Sequence, residues 1–484
     1  MCNDNSNKST KEKVFTGLIW TFGERFAAQG ISFILSIVLA RLLLPEEYGI
    51  IAMVMVFISI AEVFTTGGFG EALVQKRDSD ETDFSTMFYC TFLISVLIYI
   101  VLFLIAPIIA NFYSQEQITV VLRILGIKII ISSISTIQRA YVSKYMQFKK
   151  FFFSTLGGVV TSGIIGIIMA IRGGGVYALV VQYLINEFVT VVILFFTVSW
   201  KPKLLFSGKS AIVLLNFGWK MVMANLINTL YNELRSLIIG RQYSSADLAY
   251  YNKGNQIPSL VITNIDTAIA NVMFPAMTKA SDIQQLKAIG RRAMKTTSYI
   301  IFPLMIGLII ISSPLITLLL TDKWSGAVIY MQILCVYWMT QPIQTTNWQI
   351  IKALGRSDIC LKLEAIKKII GVILIVISMN FGVKMIAVSA VMFGVISMII
   401  NISPNNKLIN YSFLEQMKDI FPALVLALVM GIIVYIPQMF IDQIFLLVFV
   451  QIVLGGVSYI SLSLIFRIDT IKYLLQIVKG IIKR

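Results

Sequence analysis

A stripe of polar side chains lies along one apolar segment near the middle of the chain. The stripe consists of Asn225, Asn228, Asn232 and Arg235. Their spacing of three, four and three residues would place all of them on one face of a helix. In a membrane helix such a face could line a water-filled cleft that admits a polar solute. Alternatively, the asparagines only form hydrogen bonds to neighbouring helices.

Basic residues inside other apolar segments indicate which solute such a cleft would attract. Charges within a membrane span are costly and usually face a cavity or a partner. Arg25 lies in the first apolar segment, and Arg123 and Lys128 lie in the fourth. Together with Arg235 they would make a cleft cationic, which favours an anion such as a pyrophosphate. Glu24 is the alternative partner for Arg25. The predicted substrate-binding residues are Arg25, Arg123, Lys128, Asn225, Asn228, Asn232 and Arg235.

Two acidic residues inside apolar segments are candidates for ion coupling. Glu62 lies in the second apolar segment and Asp266 in the eighth. A carboxylate in a cleft could bind a proton or Na⁺ that drives transport. The alternative is that each carboxylate serves only as a structural partner for a nearby group.

Patterns typical of enzymes are missing from the chain. The sequence contains no histidine, which is the commonest general base and metal ligand. Its four cysteines have no paired spacing, and neither a glycine-rich phosphate loop nor a nucleophile elbow is present. We therefore predict that the protein is not an enzyme and that it holds no metal and no cofactor.

The composition indicates a membrane protein with many spans. Of the 484 residues, 57% are hydrophobic and 13% are charged, and the mean hydropathy is +0.84. These values exclude a soluble core with a wetted surface. The net charge of +16 comes mostly from short loops at the ends of apolar runs. It therefore indicates membrane topology and contact with anionic membrane lipids, and no nucleic-acid partner is predicted.

About fourteen runs are long enough to cross a bilayer as helices. They lie near 15–42, 47–68, 85–110, 116–137, 152–171, 175–197, 211–239, 246–274, 296–320, 326–349, 360–380, 384–402, 418–439 and 442–466. The alternate loops on one side hold 27 Lys and Arg residues, and the loops on the other side hold 5. This asymmetry predicts that both termini are cytoplasmic.

An internal repeat organises these segments. The loop at 39–49 is similar to the loop at 239–249, with Arg41 matching Arg241 and Glu47 matching Asp247. A duplication of this length predicts two pseudo-symmetric six-helix lobes around a central cleft, plus two C-terminal helices. The predicted parts are a cytoplasmic N-terminus (1–13), an N-lobe (14–205), a C-lobe (206–403), helices 13 and 14 (404–466) and a cytoplasmic amphipathic tail (467–484).

Several of these residues resemble a known family. Residues 39–49, which follow the first helix, and residues 67–75, which end the second, are similar to the opening of the Wzx-type polysaccharide exporters. Residues 248–253 and 256–258 resemble the second-lobe motif of the WzxC-like branch. This family belongs to the multidrug/oligosaccharidyl-lipid/polysaccharide (MOP) exporter superfamily, together with the MATE drug exporters and the lipid II flippases.

The resemblance implies an all-α, MATE-like fold and a flippase activity. The implied substrate is an oligosaccharide unit linked to undecaprenyl pyrophosphate, moved by alternating access across the bacterial inner membrane for O-antigen, capsule or exopolysaccharide synthesis. A polymerase and glycosyltransferases of the same pathway are the implied protein partners. The alternatives are a MATE-type drug or cation antiporter, which needs an acidic and aromatic-lined cleft, and an integral-membrane glycan polymerase or ligase.

Overall fold

The structure, a computed structural model, describes Gly23 and residues 27–471. Arg25, the whole predicted cytoplasmic N-terminus (1–13) and residues 472–484 of the predicted tail lie outside the described residues. Within the described part of the chain, all regular secondary structure is helical.

Sixteen α-helices follow one another along the described residues. They are α1 (Ala27–Leu42), α2 (Pro45–Thr66), α3 (Phe69–Gln75), α4 (Glu81–Tyr113), α5 (Gln117–Lys144), α6 (Lys149–Ile171), α7 (Val176–Thr197), α8 (Gly208–Gln242), α9 (Ser245–Thr278), α10 (Ile283–Leu320), α11 (Ala327–Met339), α12 (Gln341–Ala353), α13 (Ser357–Ser378), α14 (Val383–Ile409), α15 (Phe413–Tyr435) and α16 (Ile444–Ile465). Short 3₁₀ turns at Asp322–Trp324 and Ile436–Met439 complete the regular structure of this region.

The predicted apolar segments coincide with these helices. Eleven spans among the described residues are long and apolar enough to cross a membrane, with α2 and α3 counted together. The other three of the fourteen predicted segments correspond to α1, α13 and the α11–α12 pair, which are not among these eleven spans. The total number of crossings therefore stays a prediction.

Two segments are interrupted where the sequence removes backbone hydrogen bonds. The predicted helix at 326–349 is divided at Thr340, because Pro342 has no N–H to donate to the carbonyl four residues earlier. α2 ends at Thr66, two residues before the predicted end of the second apolar segment, and Gly67 and Gly68 follow it. Gly68 has a φ of 153°, a conformation that only glycine adopts readily, and α3 starts directly after it.

The chain divides into two compact units, residues 1–248 and residues 249–484. The predicted boundary between the lobes at 205/206 stays a prediction. In the N-terminal unit, α8 packs against α2, α3 and α4. The core between these helices includes Phe69, Leu73, Phe84 and Trp200, all of which are buried.

The repeated loop motif has a structural role in helix initiation. The Glu47 carboxylate accepts a hydrogen bond of 2.8 Å from the backbone N–H of Leu44, at the start of α2. At the equivalent place before α9, the Asp247 carboxylate accepts one of 3.2 Å from the N–H of Ser244. The acid of each copy therefore satisfies a donor that the helix itself leaves unpaired.

An ionic cluster joins α10 and α15 in the C-terminal unit. The side chain of Asp419 is 4% exposed and accepts two hydrogen bonds of 2.7 Å from the Arg291 guanidinium. Lys295 lies 3.1 Å away, and the Tyr411 hydroxyl donates at 2.8 Å. Burial, and next the hydrogen bond to Asp419, raise the pKa of Tyr411 above its usual value. The phenol therefore stays protonated and keeps donating to the carboxylate.

Removing this carboxylate is expected to destabilise the C-terminal unit. Asp419→Ala would leave Tyr411 and the two bases without their shared acceptor, at a cost of about 2 kcal/mol. Thermal unfolding of the detergent-purified protein measures the effect as a lower melting temperature. Asp442→Ala, which changes an exposed carboxylate before α16, is the control, and equal melting of the two variants would rule out the stabilising role.

Candidate functional site

A cavity of about 660 Å³ lies within the N-terminal unit, between α2, α3, α5 and α7. Most of the residues that line it have polar side chains, although the surrounding helices are apolar. Its lining residues are Glu62, Thr66, Gly70, Glu71, Val74, Gln75, Lys128, Ser132, Ser135, Thr136, Arg139, Ala140, Ser143 and Glu187. This volume is within the range of sites that bind small organic groups.

One face of α5 supplies half of this lining. Lys128, Ser132, Ser135, Arg139 and Ser143 follow one another at intervals of three or four, and Thr136 lies beside Ser135, so all of them share one helical face. The hydroxyls of Ser132, Ser135 and Thr136 each donate to a carbonyl of α5 itself, at 3.0 Å. Their donors are therefore satisfied inside the membrane, while their oxygens can still accept hydrogen bonds from a solute.

A tight ion pair lies at one end of the cavity. Lys128 Nζ is 2.5 Å from Glu62 Oε1, and the two side chains are 14% and 22% exposed. This contact joins α5 to α2 across 66 residues of sequence. Because both groups are largely out of water, removal of either one would leave the other charge poorly compensated.

A looser pair lies further along the same face. Arg139 Nη2 is 3.9 Å from Glu187 Oε1 of α7, and Arg139 Nε donates a long hydrogen bond of 3.4 Å to Ser135 Oγ. The Arg139 side chain is 45% exposed, whereas that of Glu187 is 16% exposed. Arg139 is therefore the cation of the cavity that is more available to a solute.

The net charge of the cavity lining differs from that of the predicted cleft. Three carboxylates, Glu62, Glu71 and Glu187, face two cations, Lys128 and Arg139. This cavity is therefore not cationic. An anionic solute could bind its cations only by taking the place of a carboxylate.

Of the predicted site residues, the structure brings together Lys128 and Glu62. Arg123 does not line the cavity: its guanidinium carbon lies 4.2 Å from the centre of the Phe103 ring, and its Nε donates to the Phe103 carbonyl at 3.2 Å. Asn225 donates to the Gly67 carbonyl at 3.2 Å and so supports the turn between α2 and α3. Both side chains are engaged by neighbouring parts of the chain, and for Asn225 this is the alternative weighed from the sequence.

The other predicted residues lie elsewhere. Asn228 and Asn232 are exposed on α8 and Arg235 is half-buried, but none of the three lines the cavity. Asp266 lies in the C-terminal unit, where it accepts a hydrogen bond of 2.9 Å from Thr345. Arg25 is outside the described residues. A role for these residues in binding or coupling stays a prediction.

The sequence interpretation missed most of the lining, although one signal was available. Serine and threonine recur on α5 in phase with Lys128 and Arg139, and this amphipathic pattern could have been found by its spacing. Glu71 and Gln75 could not be identified by this spacing. They lie on α3, which the sequence interpretation treated as the end of the second helix and not as a helix of its own.

The helical bundle described above has a counterpart among solved membrane-protein structures. The structure matches that of a lipid II flippase MurJ in its inward closed conformation with a TM-score of 0.77, covering 94% of this chain and 100% of that one. The sequence identity is 16%, so the likeness concerns the fold. The predicted all-α membrane fold of the MOP exporters is confirmed.

The chain belongs to the family of polysaccharide biosynthesis proteins, whose sequence profile matches residues 38–329. It is 25% identical to the teichuronic acid biosynthesis protein TuaB of Bacillus subtilis, over 72% of this chain and 73% of the relative. It is 22% identical to the lipopolysaccharide biosynthesis protein WzxC of Escherichia coli, over 76% of each chain. The predicted WzxC-like relationship is confirmed.

Proposed function

We propose that this protein is a flippase that moves oligosaccharide units linked to undecaprenyl pyrophosphate from the inner to the outer leaflet of the bacterial cytoplasmic membrane. The observation that carries the proposal is a polar cavity, held by two ion pairs, inside a bundle of a polysaccharide biosynthesis family member. Such a cavity lets a hydrated head group enter the bundle while the polyprenyl chain stays in lipid.

The sugar would bind to the hydroxyl face of α5. Ser132, Ser135, Thr136 and Ser143 present oxygens that accept hydrogen bonds from sugar hydroxyls, and Gln75 adds an amide that both donates and accepts. Hydrogen bonds of this kind replace those of water without requiring one fixed sugar geometry. This suits a carrier that must release its cargo on the other side.

The pyrophosphate would bind to Arg139. Its pair with Glu187 is long, at 3.9 Å, and its side chain is partly exposed, so a phosphate can displace the carboxylate at little cost. A guanidinium binds phosphate oxygens with two parallel hydrogen bonds. Release of Glu187 is then part of loading.

Glu62 would couple transport to an ion gradient. Binding of a proton or Na⁺ at Glu62 would weaken its contact with Lys128 and free that cation for the cargo, so ion binding and cargo binding favour each other. Asp266 of the C-terminal unit is a second proposed coupling residue. Arg25, Arg123, Asn225, Asn228, Asn232 and Arg235 remain proposed contacts for other steps of the cycle.

A drug antiporter of the MATE type fits this cavity less well. Among the described residues, none that lines the cavity is aromatic, whereas organic cations bind best against aromatic faces. A polymerase or ligase is also disfavoured, because the sequence carries no recognisable catalytic motif. We also propose that both termini are cytoplasmic and that a polymerase and glycosyltransferases act with the protein.

Deletion of the gene in its own host tests the proposed function. We expect loss of surface glycan and accumulation of the lipid-linked oligosaccharide on the cytoplasmic side, with both effects reversed by the intact gene. Arg139→Ala should restore export at least tenfold less well than the intact gene, because a charge-assisted phosphate contact is lost. Arg172→Ala changes an exposed arginine at the end of α6 and is the matched control. Unchanged surface glycan and lipid-linked pools in the deletion strain would refute the proposal.

A further inference from the structure

The helix α3 forms one wall of the cavity and carries a carboxylate there. Glu71 and Gln75 line the cavity from α3, one helical turn apart. Gly70 lies against α5, because a Cβ added to it would be 3.4 Å from the Cβ of Ala140. The close approach at Gly70 places Glu71 beside the stretch of α5 that carries Arg139.

Glu71 differs from the other two carboxylates of the cavity. Glu62 and Glu187 each face a base within 4.0 Å, whereas among the described residues Glu71 has no base within that distance. The lining therefore carries one negative charge in excess, and it is located on α3. Any further negative charge on the cargo would meet this carboxylate without a free cation nearby to offset it.

Lys144 holds α3 in place at its C-terminal end. Its ammonium donates to the carbonyls of Leu73 at 3.3 Å and Lys76 at 2.6 Å, and also to the Ser79 hydroxyl. The Leu73 carbonyl belongs to the last turn of α3, and Lys76 is the residue directly after this helix, where carbonyls have no intrahelical donors. Lys144 therefore fixes the position of Glu71 without itself lining the cavity.

We propose that Glu71 is a charge filter that selects cargo whose sugars are neutral or basic over cargo that contains a uronic acid, and that Lys144 is the positioning residue of this filter. The inference rests on the proposed function, because it specifies the class of sugar that the same cavity admits. The pyrophosphate common to all such cargo binds the two cations of the cavity, Lys128 and Arg139, so discrimination depends on the sugars beside α3. A carboxylate on one of those sugars faces Glu71 across a partly aqueous space and is repelled.

The test compares two cargoes in proteoliposomes. One is an undecaprenyl-pyrophosphate oligosaccharide of neutral hexoses, and the other carries a uronic acid in place of one hexose. We expect the intact protein to flip the neutral unit faster by roughly tenfold, as one like-charge contact in such a site gives. Glu71→Gln should bring the ratio close to one, and Glu71→Lys should favour the acidic unit. Glu46→Gln, an exposed carboxylate at the start of α2, is the matched control and should leave the ratio unchanged.

Variants of Lys144 separate positioning from folding. Lys144→Met should lower the ratio of neutral to acidic flipping, and Lys144→Arg should restore it, because arginine can still donate to the same carbonyls. A merely structural loss would slow both cargoes equally. An unchanged ratio in Glu71→Gln overturns this inference alone, since both cargoes are still flipped. Flipping of neither cargo by the intact protein overturns the inference together with the proposed function.

Discussion

Replacement of Lys128 by methionine is expected to lower glycan export at least about a hundredfold per molecule of protein. Methionine keeps the length of the side chain and removes the charge, so Glu62 loses its partner at 2.5 Å. The cargo loses one of the two cations of the cavity. A charge-assisted contact to the pyrophosphate contributes about 3 kcal/mol, which corresponds to roughly a hundredfold change in an equilibrium constant.

Surface glycan, normalised to the amount of protein in the membrane, measures this effect. Lys209→Met removes an exposed lysine at the start of α8 and should leave export unchanged. The double variant Glu62→Gln with Lys128→Met removes both charges and so leaves neither one without a partner. Compared with Lys128→Met alone, we expect the amount of this variant in the membrane to recover more than its export does. Normal export by Lys128→Met would show that the pair has no part in transport.

Alanine at Gly49 is expected to reduce the amount of folded protein strongly. A Cβ added there would lie 1.9 Å from the carbonyl oxygen of Ser245 and 2.3 Å from its carbon. Both atoms belong to the backbone, so neither can rotate away, and α2 would have to separate from the first turn of α9. Overpacking of this kind costs about 3 kcal/mol or more.

Folded protein in mild detergent, measured by size-exclusion chromatography of a fluorescent fusion, tests this expectation. Gly30→Ala is the matched control, because an added Cβ at this position of α1 meets no atom within 4 Å. Equal monodisperse yields of the two variants would contradict the close approach of α2 to Ser245.

The helices could be predicted from the sequence because a bilayer sets the length of its apolar runs. The break after Thr66 was also predictable, since the glycines that follow it are visible in the sequence. The division of one predicted span at Thr340 was not predicted, although Pro342 supplies its cause. A single proline in an apolar run bends some helices and ends others, and tertiary packing decides between the two.

The site was predictable only in part, because spacing along one helix does not say what that helix faces. Arg123 and Lys128 both lie in α5, yet five residues turn them to different sides, towards Phe103 of α4 and Glu62 of α2. Asn225 belongs to a regular polar stripe, but its amide binds the carbonyl that the break at Gly67 leaves free. Which neighbour each polar group meets depends on contacts between distant parts of the chain.

Translocation of a labelled lipid-linked oligosaccharide in proteoliposomes tests the central claim most directly. The purified protein should carry an undecaprenyl-pyrophosphate oligosaccharide of neutral sugars from one leaflet to the other faster than vesicles with no protein and vesicles with Lys128→Met, and the recovered lipid should be chemically unchanged. Movement no faster than in protein-free vesicles, or recovery of a lengthened or transferred glycan, would contradict a flippase built around this cavity.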